Sequence, residues 1–214
     1  MTKVKPPRSY KSGLRAEQAR QTRMRVLDAA QTLFAQRGYA GTTMEAIAAE
    51  AGVAVDTVYA RFGRKRRLLA ALMDVRVGGD DQAIAVIDRP EPQAVRREPS
   101  QNRQIAMFAE SIAPIVDRAR PVDDIIRGAA AVDPEIAAMR TSLQETRYGN
   151  MRQFVGWVAT NGHLREGLSL DDAAAIVWTV TSPEVNRLLR AERGWSHERY
   201  RVWLAETLNH GLLP

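Results

Sequence analysis

Residues 42–63 read TTMEAIAAEAGVAVDTVYARFG, and two short helices joined by a glycine turn are written in them. Thr42 with Glu45 three residues later has the form of a capping box, which predicts a helix start. Ile47 and Ala48 carry that helix to about Ala51. Gly52 closes it, since glycine takes the left-handed conformation past a helix end without steric penalty. A second helix is predicted from about Val55 to Phe62, with Val58 and Phe62 one turn apart on its inner face. Ala54 stands at its cap position and has no side-chain oxygen, so this start is weak. Small residues at Ala48 and Ala51 let the two helices approach. This is a helix-turn-helix pattern, in which the second helix offers its outer face to the DNA major groove. Many helical bundles contain a glycine turn, so the pattern alone does not decide function.

Working outward, helical periodicity continues on both sides. Upstream, Met24, Leu27, Ala30 and Phe34 recur at three-to-four spacing in a helix from about Leu14 to Arg37 that Gly38 ends. Residues 1–13 carry Lys3, Lys5, Arg8 and Lys11 with two prolines and no acid, which reads as a flexible basic arm. Downstream, Leu68, Leu69, Leu72 and Met73 mark a fourth helix from about Lys65 to Arg76. The proline-rich, charged stretch 88–100 (DRPEPQAVRREPS) reads as a loop or a poorly ordered segment. Helices are then predicted over about 101–118 and 122–131, and from Pro134, capped by Asp133, to about Asn161. Ser169 and Ser196 cap two more. No strand-length alternation or internal repeat is present. The expected fold is all-α: an arm (1–13), a helix-turn-helix domain (14–65) and a helical bundle (66–214).

Charge divides along the same line. Residues 1–67 hold 14 Lys/Arg against 5 Asp/Glu, whereas residues 68–214 hold 17 against 20. The positive excess therefore sits in the head, as expected of a segment that meets a polyanion. With no cysteine in 214 residues, disulfides and thiolate metal sites are excluded, and a cytoplasmic setting is expected. No apolar run approaches the ~20 residues that span a bilayer. Neither a cofactor nor a metal is expected. Enzymatic motifs are lacking: there is no phosphate-cradling glycine loop, no Gly-x-Ser-x-Gly and no Glu-x-x-His pair. A helical interaction module without DNA binding is the other alternative, and it would not call for the basic head.

The run RVLDAAQTLFAQRGYAG at 25–41, followed by the quoted stretch and by RKRRLL at 64–69, resembles the DNA-binding domain of TetR-family regulators over about residues 22–73. The tail segments TSPEVNRLL (181–189) and GWSHERY (194–200) are similar to those of many members. The resemblance implies that Thr42 and Thr43 present hydroxyl and helix N-terminal groups to phosphate. It implies that Val55, Asp56, Thr57, Tyr59 and Arg61 lie on the exposed side of the recognition helix, and that Lys65 contacts phosphate. Capping alone is the competing reading for Thr42, as is complementing the helix dipole for Asp56. The chain departs from the family at Ala54, where a capping Ser or Thr is usual, and at Arg66, where an acid is usual.

For the body, the resemblance implies a cavity for an unknown small-molecule effector. Met107, Met151, Phe154, Trp157 and Trp178 are the candidate walls, and Arg147 a candidate anchor for an anionic group. The same residues would form core in any bundle. It also implies a homodimer paired through the last two helices and a double-stranded DNA target of two half-sites. The commoner mode in the family is repression released by the effector.

Overall fold

The computed structural model describes the backbone of residues 8–214 and the side chains from residue 13 onward. The expected arm therefore lies outside the described residues up to position 7. From Arg8 the chain is already helical, and α1 runs Arg8–Arg37, six residues earlier than the sequence pattern indicates. Then come α2 (Met44–Ala51), α3 (Val55–Phe62) and α4 (Lys65–Gly78). No strand occurs among the described residues.

The chain forms two compact units, the first ending at Leu72 and the second spanning Met73–Pro214. The division falls within α4, seven residues past the expected boundary. In the first unit α1 packs on α2 and α2 on α3. Leu27, Leu33, Ile47, Val58, Leu68, Leu69 and Leu72 are sealed from solvent. The turn between α2 and α3 is closed by Gly52 at φ 64°. The N–H of Val53 donates to Ala48 O at 3.0 Å and that of Gly52 to Ala49 O at 3.2 Å, which satisfies carbonyls the helix end would leave open.

The start of α2 is shifted by one residue from the expected capping box. Thr43, not Thr42, is the cap, its hydroxyl accepting from the Ala46 N–H at 3.1 Å. Thr42 is fully buried, and its hydroxyl lies 2.8 Å from Gly38 O and 3.2 Å from Leu33 O. It ties the end of α1 to the start of α2 and cannot reach a phosphate. Thr42→Val keeps the shape and leaves the Gly38 carbonyl without this donor. It is expected to cost about 1–2 kcal/mol, read as a lower urea midpoint at unchanged slope; an unchanged midpoint would contradict this role.

The second unit continues with a 3₁₀ turn (Val86–Asp88) and then α5 (Pro90–Arg97), α6 (Gln101–Ala130), α7 (Pro134–Thr160) and α8 (Leu170–Val180). After these come α9 (Pro183–Asn186), a π-helical turn (Arg187–Glu192) and α10 (His197–Leu212). Two expectations are corrected here. Residues 88–100 are not a loop: Pro90 opens α5, and Val95 is buried. The buried Gln104 amide donates to Val95 O at 3.0 Å, while Asn161 donates to Glu98 O at 2.9 Å and to Gln104 Oε1 at 3.1 Å. The two expected helices over 101–131 are one, α6, which runs through Pro114 and Pro121. An interior proline costs ~3 kcal/mol, and packing offsets it: Ala109, Ala113, Val116, Ala119 and Val122 are all buried along this helix.

Caps fall where the sequence places them on α7, α8 and α10. Asp133 accepts from the Glu135 and Ile136 N–H groups, Ser169 from Asp172 and Ser196 from Arg199. Pro183 restarts the chain after α8, with Ser182 as its cap. The core gathers Phe108 of α6, Phe154 and Val158 of α7, Val177 of α8, and Leu208 and Leu212 of α10. No helix of the described residues is long and apolar enough to cross a membrane.

Candidate nucleic-acid interface and internal cavity

Helix α3 begins at Val55 although Ala54 makes no side-chain cap bond. It is held from its other side, where Val58 and Phe62 are buried. At 100° per residue, the direction opposite these two is that of Asp56, Thr57 and Ala60. All three are exposed, and Val55 is half-buried at the near edge. Ala60 was not among the residues singled out from the sequence. Its place at the centre of the open face follows from the two buried positions, and its small side chain permits close approach.

Tyr59 and Arg61 flank this face. Tyr59 is 43% exposed, and its hydroxyl donates to Glu45 Oε1 of α2 at 2.9 Å. That bond, with burial adding a little, pushes the Tyr59 hydroxyl above its ordinary pKa. The Glu45 carboxyl is held down by its own backbone N–H, then by Tyr59 and Thr43. Arg61 turns toward α1, donating from Nη1 to Ala19 O at 2.8 Å. It is committed to the scaffold rather than aimed out from the centre of the face. Lys65 is half-buried at the start of α4; Nζ donates to Tyr39 O and Thr42 O, each at 2.7 Å, and sits 4.4 Å from the Tyr39 ring centre. Two of the ammonium's three donors therefore fasten α4 to the turn before α2. The structure thus brings Thr43, Asp56, Thr57 and Tyr59 to the open side of the motif, and places Thr42 inside.

The second unit encloses a cavity of about 490 Å³. Met151, Phe154 and Trp157 line it as the sequence suggests, opposite Phe108 and Ile112 of α6. Phe108 and Phe154 stack with centroids 3.8 Å apart. Met107 and Trp178 are not on this wall. Met107 faces an adjoining recess of about 650 Å³, and Trp178 packs against the core with the Arg147 guanidinium 4.8 Å from its ring. Arg147 does line the cavity, but Nη1 and Nη2 both donate to Trp178 O, at 2.7 and 2.5 Å. Burial pushes this guanidinium down to about 10, against the raising effect of Glu184 and Asp123. Each terminal nitrogen gives one of its two N–H groups to the Trp178 carbonyl, while Nε is buried without a partner.

On the last helices, Leu208 is fully buried in the chain's own core, and Trp203 is half-buried beside Trp195 and Tyr200. The large apolar side chains left open on this part of the unit are Leu188 and Val202. Among the described residues no group of His, Asp and Glu is arranged to hold a metal.

Comparison with known proteins agrees with this geometry. Two solved structures share the fold across 90% of this chain: a putative transcriptional regulator from Saccharomonospora viridis in complex with choline (19% identity, 97% of that chain, TM-score 0.66) and a SmeT–triclosan complex (22% identity, 92% of that chain, TM-score 0.68). The HTH-type transcriptional regulator TtgR of Pseudomonas putida is 41% identical over 58 residues. That match spans 27% of this chain and 28% of the relative's length. Residues 26–72 match the profile described as bacterial regulatory proteins, tetR family. The similarity to bacterial regulatory proteins of the tetR family thus lies in this N-terminal domain.

Proposed function

We propose that the protein is a homodimeric transcriptional repressor, working in the cytoplasm, that holds two half-sites of duplex DNA through α3 and is released by a small molecule in the 490 Å³ cavity. The observation that carries this reading is the open face of α3, where Asp56, Thr57 and Ala60 stand exposed on a helix anchored by Val58 and Phe62. Thr43, at the N-terminus of α2, offers its hydroxyl proton and the helix end to a phosphate. The Tyr59 hydroxyl exchanges Glu45 for a phosphate oxygen, and Lys65 adds positive charge beside the same strand. Val55 and Thr57 reach thymine methyl groups, while Asp56 complements the α3 dipole. The cavity volume suits one drug-sized ligand.

The head's charge excess supports a salt-dependent backbone contribution common to all sequences. Tyr59→Phe is accordingly expected to weaken binding to every duplex alike, by about fivefold to tenfold. A changed base preference would make Tyr59 a base contact. Gel-shift titration against the DNA upstream of the protein's own gene tests the whole reading. A discrete complex that survives excess unrelated duplex is expected, and its absence contradicts the proposal. Light scattering should give twice the 23.8 kDa chain mass, with Leu188 and Val202 among the apolar side chains available to the pairing. A monomer at micromolar concentration contradicts the dimer.

A further inference from the structure

Two carboxylates interrupt the apolar wall of the cavity, of which Asp74 is exposed and Asp123 is buried. Asp123 of α6 lines the cavity and is 5% exposed, and its Oδ2 has no hydrogen-bond partner. A buried carboxylate oxygen without a donor is costly, and the cations around it are engaged elsewhere. Arg140 of α7 pairs with Glu184 of α9 at 3.1 Å, Arg127 of α6 pairs with Asp124 at 2.8 Å, and Arg147 of α7 donates to Trp178 O. Gln144 Oε1, on the same wall, is a second buried acceptor with no donor. The lining also holds two buried donors without an acceptor, Arg89 Nε and Arg147 Nε.

We propose that the cavity takes a lipophilic amine in its protonated form, with the ammonium seated on Asp123 and the hydrocarbon skeleton packed on Phe108, Phe154 and Trp157. This rests on the reading of the cavity as the effector site. An ammonium supplies the donors that Asp123 and Gln144 lack, and its charge is matched inside a low-dielectric wall. An anionic ligand would instead meet the buried Asp123 carboxylate with like charge. Burial, reinforced by Glu184 and Asp124 and opposed by Arg140 and Arg127, pushes the Asp123 carboxyl up to about 6. It is therefore ionised at pH 7.5 and able to receive a cation. Binding of the amine should weaken as pH falls through about 6, where Asp123 takes up its own proton.

Three probes of one skeleton separate the possibilities: 2-(1-naphthyl)ethylamine, 2-(1-naphthyl)ethanol and 1-naphthylacetate, each titrated calorimetrically into the full chain at pH 7.5. The amine is expected to bind wild type about tenfold or more tighter than the alcohol, with the acid weakest. In Asp123→Asn, which has nearly the same shape, amine and alcohol should converge to within about twofold. Equal binding of alcohol or acid to wild type overturns the proposal and leaves the effector cavity standing. Survival of the amine preference in Asp123→Asn does the same. If none of the three binds wild type, the proposal and the effector reading fall together. The comparison on wild type does not depend on the variant folding.

Discussion

Ala60→Glu is expected to lower operator affinity by at least about 100-fold while leaving the stability of the chain within about 0.5 kcal/mol. Ala60 is exposed at the centre of the open face of α3, so a glutamate there disturbs no packed neighbour and is an ordinary helix former. In a complex it would place a carboxylate against the DNA at the point of closest approach. Like charges set against each other cost several kcal/mol, and each 1.4 kcal/mol is about tenfold in affinity. The check is anisotropy with a labelled operator, beside a urea titration of the free protein. Retained affinity in a folded variant would mean that α3 does not enter a groove.

Phe154→Ala is expected to destabilise the second unit by about 3–5 kcal/mol. Phe154 is 1% exposed and stacked on Phe108. Its removal deletes a large buried ring from the core and merges the vacated space with the cavity. That is a large share of the 5–15 kcal/mol typical of a domain, and the melting transition should fall by roughly 10 °C. Phe108→Ala with Phe154→Ala should cost less than the sum of the two single variants, because both remove the same stack. A loss below about 1 kcal/mol would mean that the aromatic pair does not hold α6 against α7.

Where local signals and tertiary packing agree, the structure was legible in the residues. Gly52 ends α2 in a left-handed conformation because no other residue adopts it cheaply there. The caps at Asp133, Ser169 and Ser196 carry the oxygen the first turn needs. The misreadings share one cause, which is that long-range contacts outvote local signals. Pro114 and Pro121 suggest a break, but a row of buried small residues keeps α6 whole. Residues 88–100 have the composition of a loop, yet Val95 and the Gln104 and Asn161 amides pin a helix there.

The site divides in the same way. Asp56, Thr57 and Tyr59 could be placed on the open side from periodicity alone. Thr42 and Thr43 could not be told apart, because either can cap and only the contact with the end of α1 sends one inside. The partners of Arg61 and Arg147 were not legible, because an arginine's sequence position says nothing about which carbonyl it will find. Asp123 gave no signal, since its isolation arises from neighbours on α7 and α9 pairing with others.

On the function proposed above, two copies of this chain read duplex DNA through α3. Selection of binding sites from a random duplex pool, with the purified full chain at physiological salt, tests it most directly. Convergence is expected on two half-sites related by two-fold symmetry, their centres one or more helical turns (about 34 Å each) apart, with enrichment lost in Ala60→Glu. A pool that never enriches, or one that settles on a single asymmetric site bound by one copy, would contradict it.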